Sequence, residues 1–523
     1  MEYSIGREER GQVKELVDIS APQRAICSSA EPRNLFLAGV GSGKTHTEGL
    51  LSGYFVKKFP EIRGFIGANT YAQLTKSSLS RILNVWSDVF GWTGGVDYVV
   101  DIKPPEDFTI IGTRLKEYKN TISFKNGHLI FLSSLENYKA IDGTEFAYAL
   151  LDETKDTKEE AVKEVIIARL RQIGMFVCHG KVERKEEFEE KLSSGIYKKK
   201  GDKIFNTENG HEVKGFNPLY IFTSPAKVEW LNQWFGIDER LDDINKHIFS
   251  KDDFYHSKHN GVSVTISSTY HNEKNLSLGY IENLIRSYEH NPSLIDMMIF
   301  GSPIAKTGGE WFSRFDRTVH VKDIKMNPDY PLHITLDFNV VPYITLLVCQ
   351  FIPDEKTGRM NWNTLKEYCL ESPMNNTESV CGEFFYDYAG MIRGLYYYGD
   401  ASGKNRSTLT KDIRHNYDVV EKVLRSVLNN DSDRVLNHNP SLVKCRDFFN
   451  RGLSGGYSFD INIHPSCVEL IADFDFLKED VNGGYKKPKV KNNITGETYE
   501  KRGHCADAWR YIGLSVFQDL FNE

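Results

Sequence analysis

Residues 35–50 read "LFLAGVGSGKTHTEGL", and this stretch decides the fold. A short apolar run enters a glycine-rich turn, and Lys44 and Thr45 open a helical pattern. Within it "AGVGSGKT" at 38–45 matches the phosphate-binding loop, with Ala38 where the first glycine usually stands. Such a loop works because successive backbone N–H groups at a helix N-terminus converge on phosphate oxygens. Gly39, Gly41, Ser42 and Gly43 are expected to form that cradle. Lys44 is then placed to reach the β- and γ-phosphates, and Thr45 to ligate magnesium. The ligand this pattern calls for is ATP with Mg2+.

A phosphate loop needs an acidic partner at the end of a second apolar strand. "YALLDE" at 148–153 supplies it: Asp152 to hold magnesium and Glu153 to polarise the attacking water. Three further pieces fit one site. Gln23 in "SAPQRAI" is placed to read the edge of adenine, and Thr223 and Ser224 in "FTSPA" to sense the γ-phosphate. Arg169 and Arg171 in "ARLRQ" are candidates for an arginine finger acting on a neighbouring subunit's nucleotide.

Outward from the loop, residues 34 to about 226 alternate short apolar runs with helical patterns, as a parallel α/β sheet does. "TISFKNGHLIFL" predicts a hairpin with a two-residue turn at Asn126-Gly127. The charged segment 179–216 reads as a solvated excursion. Residues 227–320 are mixed and more helical, and "AKTGGEWFSRFDRTVHVKDIKMNPDYP" reads as the joint before a strand-rich region, 321–523.

Three aspartates in that last region occupy unusual places. Asp337 falls in "HITLDFNV", an apolar strand pattern where Asp is disfavoured. Asp400 ends "LYYYGD", and Asp507 lies in "HCADAWRYIG" at the start of a helix. Carboxylates carried by two strands and a helix can share one sheet edge. There they would hold two divalent ions, Mg2+ or Mn2+, that clamp both oxygens of a phosphodiester displacement. Lys486, Lys487, Lys489 and Lys491 in "YKKPKVK", with Lys404 and Arg406 in "SGKNR", are candidate contacts to a DNA backbone. Glu367 and His504 are candidate auxiliary groups.

The totals bound these readings. The chain has 523 residues, 65 Lys and Arg against 72 Asp and Glu, and a formal charge of −7, which argues against a polybasic coating protein. Length alone suggests two to four domains. None of the eight cysteines is spaced C-x-x-C, so zinc ribbons and thioredoxin-like motifs are not expected, and the thiols read as reduced. The charged "MEYSIGREER" does not read as a signal peptide, and no apolar run is long enough to span a bilayer. A soluble intracellular protein is expected.

In order, "PQRAI", "AGVGSGKT", "GTEFAYALLDE", "FTSPA", "TYHNEKNLSLGYI", "LDFNV", "GDASG" and "ADAWRY" resemble the large subunit of tailed-bacteriophage terminases over nearly the whole chain. The resemblance implies a RecA/ASCE-like P-loop ATPase core (1–226), a small lid subdomain with linker (227–320) and a ribonuclease H-like nuclease domain (321–523). It implies that Asp337, Asp400 and Asp507 are the metal-binding carboxylates. It also implies double-stranded DNA, a portal protein and a small terminase subunit as partners, a ring of subunits, and action in the host cytoplasm during virion assembly. Many relatives carry an arginine inside the loop where this chain has Val40, which moves the finger to Arg169 or Arg171, with Arg33 an outside candidate. Two other readings compete: a helicase–nuclease of repair or recombination, suggested by "GANTYAQL", and a non-enzymatic DNA-binding component of capsid assembly.

Overall fold

The apolar run ahead of the loop is a strand, β1 (Arg33–Ala38), and the helix after the loop is α1 (Lys44–Lys58). The structure is a computed structural model. It describes residues 6–9, 12–16, 19–110, 115–141, 143–225, 228–289, 292–303, 309–405, 415–480, 483–491 and 498–522. The chain divides into two units, Met1–Thr307 and Gly308–Glu523.

In the first unit β2 (Arg63–Ala68), β3 (Leu129–Ser134), β4 (Tyr148–Asp152), β5 (Leu219–Thr223) and β6 (Val262–Ser267) join β1. They run parallel in the order β6-β1-β5-β4-β2-β3, with antiparallel strands added at both edges to make nine. Both faces are covered. Phe36 and Ala38 of β1 enter one hydrophobic cluster and Leu35 and Leu37 the other. A strand buried on both sides needs apolar residues without alternation, which is why these strands read as continuous runs. β5 lies between β1 and β4, so the phosphate loop and Asp152 emerge at the same sheet edge, one strand apart. This is the order expected of a RecA/ASCE-like core.

Three local expectations need correction. The hairpin closes at Phe124 and His128, with the Phe124 N–H donating to the His128 carbonyl, so Lys125-Asn126-Gly127 form a three-residue loop. Gly127 takes φ +83° there, the left-handed position that such a loop requires. Segment 179–216 is a folded unit and more than a solvated excursion. With Met175–Cys178 it builds a five-stranded antiparallel sheet around Cys178, Phe188, Tyr197 and Val213. The stretch 227–320 is likewise not one separate subdomain. Its strands Tyr255–His259 and β6 extend the main sheet, while Trp311, Phe312 and Phe315 are buried in the second unit's core. The apolar side chains of that expected joint explain why: burying three aromatics outweighs keeping a free linker.

The second unit holds β7 (Leu332–Asp337), β8 (Tyr343–Pro353), β9 (Met360–Glu371), β10 (Leu395–Gly399), β11 (Leu428–Asp433) and β12 (Phe459–Ile463). The sheet order is β11-β10-β7-β8-β9-β12. β7, β8 and β9 form an antiparallel meander, and β10 lies parallel to β7. A meander with parallel strands added beside its first member is the ribonuclease H-like order. Helices α2 (Val468–Phe476) and α3 (His504–Val516) follow. Among the described residues no helix is long and apolar enough to cross a membrane.

Candidate functional site

The loop between β1 and α1 is held from below. Gly39 N–H donates to the Ser267 carbonyl and Val40 N–H to that of Met298, at 3.0 and 2.7 Å. From the "TYHN" segment, Thr269 Oγ1 donates to the Val40 carbonyl and Asn272 Nδ2 to that of Gly41, both at 2.7 Å. A Cβ on Gly39 would lie 2.6 and 2.7 Å from the Ile299 and Met298 carbonyl oxygens, so only glycine fits. The Gly39 and Val40 amides and the Val40 and Gly41 carbonyls are thus engaged on this side, which fixes the loop's backbone.

Lys44 is buried, and its Nζ donates to the carbonyls of Ala38 and Gly39 and stands 3.8 Å from Glu153 Oε1. Burial lowers its pKa, opposed by Glu153 and Asp152. Glu153 has a left-handed backbone, φ +46°, and its carboxylate accepts from the N–H and Oγ of Ser224 at 3.1 and 2.6 Å. A non-glycine residue held there carries strain on the order of 1 kcal/mol, which neighbours must hold in place. Asp152 accepts from Ser78 Oγ at 2.5 Å, and burial pushes it up to about 6. Its Oδ1 is buried with no partner among the described residues, as suits an oxygen meant for a cation. Lys44 and Asp152 therefore fit a nucleotide with Mg2+, and Thr45 stands beside Lys44 in the first turn of α1.

The other nucleotide-side expectations fare unequally. Ser224 meets Glu153, while Thr223 is buried and donates to the Ser224 carbonyl. Gln23 lies against the loop, yet its amide is spent there. Nε2 donates to the Gly43 carbonyl and Thr47 Oγ1, and Oε1 accepts from the Ser20 N–H and hydroxyl. That geometry braces the α1 N-terminus instead of presenting a free edge to adenine. Arg169 is turned onto its own backbone, donating to the Ile141 and Val165 carbonyls. Arg171 pairs with Glu145 at 2.9 Å with its side chain 62% exposed. Arg33 begins β1, at the opposite strand end from the loop, so it is misplaced for a finger within the subunit. The sequence reading missed Glu48. It is fully buried on α1, and both carboxylate oxygens lack a partner among the described residues. Its pKa is raised by burial and then by Asp152.

In the second unit, Leu336 of β7 pairs with Gly399 of β10, so Asp337 and Asp400 leave the ends of neighbouring parallel strands. The Asp400 N–H donates to the Leu336 carbonyl at 3.3 Å. A Cβ on Gly399, φ +151°, would lie 2.5 Å from that same carbonyl, so glycine permits the approach. Helix α3 crosses β7, with Thr335 Oγ1 donating to the Ala508 carbonyl at 2.7 Å, and carries Asp507 in its first turn. Besides burial, all three carboxylates raise the pKa of Tyr511, a hydroxyl common to their surroundings.

Their partners differ. Asp337 pairs with His504 Nδ1 at 3.0 Å, and burial followed by the Asp507 charge raises its pKa. Burial also pushes Asp507 upward, but Arg510 and Lys487, both at 2.9 Å, outweigh it and hold the carboxyl low. Tyr485 also donates to Asp507. Asp400 accepts from Ser402 N–H at 2.9 Å and Asn439 Nδ2 at 2.7 Å. Hard oxygen donors around a buried, under-compensated Asp337 fit Mg2+ or Mn2+. The three are not drawn into a tight cage. Among the described residues, the one set of His, Cys, Asp or Glu ligand atoms all within 4.8 Å of one another is Glu367, Cys369 and Cys505.

Of the lysines assigned to DNA, two are spent inside the protein. Lys487 bridges Asp507 and Glu500, and Lys404 pairs with Asp433. Lys486 and Lys489 are exposed, while the side chain of Lys491 and the whole of Arg406 lie outside the described residues. Glu367 caps α2, accepting from the Glu469 and Leu470 N–H groups at 2.7 and 2.9 Å. Asp473, Tyr485 and Arg510 were not singled out from sequence. Asp473 accepts from the Gly503 and Ala506 N–H groups, fixing the end of α3 that presents Asp507.

No protein-family model matches the chain, and no curated protein matches it in sequence. Solved structures are similar to it at low identity. The large terminase of a thermophilic bacteriophage is 15% identical, over 96% of this chain and 99% of that one, with a TM-score of 0.35. The large terminase ATPase domain of Thermus phage P74-26 is 14% identical over 55% of this chain and 94% of that one, with a TM-score of 0.32. The P22 large terminase nuclease domain is 13% identical over 40% of this chain and 93% of that one, with a TM-score of 0.27.

Proposed function

We propose that this chain is the large subunit of a viral DNA-packaging motor, which hydrolyses ATP to draw double-stranded DNA into a procapsid and cuts concatemeric DNA with a two-metal endonuclease. The observation that supports it best is the coexistence in one chain of two donor sets. Lys44, Asp152 and Glu153 surround a phosphate loop in one unit, and Asp337, Asp400 and Asp507 end adjacent strands and begin a helix in the other. In the first set Thr45 and Asp152 would hold magnesium, Lys44 would bind phosphate, and Glu153, oriented by Ser224, would take the proton of the attacking water. In the second, Asp337, Asp400 and Asp507 would hold two divalent ions, whose chemistry when bound would be activation of a water and charge stabilisation at the leaving oxygen. The reading carries with it a portal protein, a small terminase subunit and DNA as partners, a ring of subunits, and action in the host cytoplasm.

The helicase–nuclease alternative calls for a second ATPase lobe. The second unit's described residues form a mixed six-stranded sheet instead. The test is to measure ATP hydrolysis and manganese-dependent plasmid cleavage on one preparation. Wild type shows both, Lys44→Ala loses the first, and Asp400→Ala loses the second alone. Background hydrolysis by wild type and Lys44→Ala alike would sink the motor and favour a non-enzymatic assembly component.

A further inference from the structure

Apart from the aspartates, the second unit holds another convergence of ligand atoms. Glu367 and Cys369 are alternate residues of β9 and so share a face. Cys505 comes from the first turn of α3. The two sulfurs are 3.4 Å apart, and Glu367 Oε2 lies 4.0 Å from Cys505 Sγ. We propose that Glu367, Cys369 and Cys505 bind a zinc ion, which ties β9 to the helix presenting Asp507. The proposal does not depend on what the aspartates do.

Three features favour a thiophilic divalent ion. Tetrahedral zinc with bonds near ~2.3 Å to sulfur sets two sulfurs about 3.8 Å apart, so the observed pair has to open by only a few tenths of an ångström. The carboxylate is already oriented: each oxygen accepts one α2 N–H and keeps a lone pair for a metal. Charge also points this way. Glu469 and Asp473 stand with Glu367 around the thiols, and the Arg502 guanidinium is engaged by both Glu469 and Asp473. Two thiolates with one carboxylate select zinc over magnesium, leave a fourth position for water, and release two protons to solvent on binding.

The test uses the full chain, produced with zinc in the medium and purified without chelator. Elemental analysis is expected to find stoichiometric zinc that excess Mg2+ does not displace. Cys369→Ser and Cys505→Ser each lose it, and Asp337→Asn keeps it. Zinc retained by both serine variants overturns the assignment, as does a Cys369–Cys505 disulfide found in its place on non-reduced peptide mapping. Should the serine variants fail to fold, cobalt(II) titration of the wild-type chain decides: thiolate-to-cobalt charge-transfer absorption is expected, and its absence at saturation overturns the proposal.

Discussion

The Lys487 ammonium lies 2.9 Å from Oδ2 of Asp507, occupying a lone pair that a metal ion would use. A cation already seated there competes with the divalent ion. A charge-assisted contact of this kind contributes about 1.5–3 kcal/mol, tenfold or more in an equilibrium constant. Lys487→Ala is therefore expected to lower the Mn2+ concentration for half-maximal plasmid cleavage at least ~10-fold. If Lys487 instead grips DNA, cleavage drops at every metal concentration and the midpoint does not move.

Glu153 is the next discriminating position. Glu153→Gln keeps an acceptor for the Ser224 N–H but removes the base, so phosphate release is expected to fall by at least ~100-fold. Nucleotide affinity should stay within about threefold, because Lys44 and the loop amides carry binding. Titration with a fluorescent ATP analogue separates the two, and parallel losses of binding and turnover would remove Glu153 from the chemistry.

Why some of this was legible in the sequence and some not has physical causes. Strands buried on both faces leave unbroken apolar runs, and an acid at the end of one stands out, so Asp152, Asp337 and Asp400 were readable. Gln23 and Lys487 lie near their sites with neighbours the sequence does not show, because sequence displays a side chain's chemistry without the groups that engage it. Glu48 and Asp473 left no signal at all: on a helix, one buried acid reads like any solvated one. The 175–215 sheet was missed because its strands are four residues each and its core is four side chains.

Arg171, whose guanidinium pairs with Glu145 and whose side chain is largely solvent-exposed, is the candidate for a finger across a subunit boundary. Arg171→Ala is expected to reduce ATP turnover at least ~10-fold at concentrations where subunits assemble, and less than twofold in dilute monomer. Turnover measured across a dilution series reads the difference. A defect of equal size throughout would place the residue's action within the subunit.

Gly39→Ala tests the clamp beneath the loop. The added methyl meets two backbone carbonyl oxygens at 2.6 and 2.7 Å, which no side-chain rotation relieves. Overpacking of this kind costs about 1–3 kcal/mol. The loop is expected to move away from Met298 and Ile299, weakening ATP binding at least ~10-fold in calorimetry. The second unit's cleavage activity serves as the control and should be unchanged.

His128 gives the first unit a pH signature. Its ring is buried, with Nδ1 against the Phe59 carbonyl and Nε2 against the Tyr148 hydroxyl, and burial lowers its pKa to about 4. The unfolded chain binds a proton near ~6.5. Between those values the unfolded state holds more protons than the folded one, so this group's contribution to stability falls as pH falls. The slope approaches ~1.4 kcal/mol per pH unit in the middle of the window, totalling on the order of 3 kcal/mol. Thermal melts of the wild-type chain from pH 7.5 to 4.5 should therefore show the first unit's Tm dropping through that window. His128→Gln, which keeps polar contacts without titrating, should flatten part of the slope despite a lower Tm at neutral pH. An unchanged slope in the variant would mean that His128 titrates in the folded protein as it does in the unfolded chain.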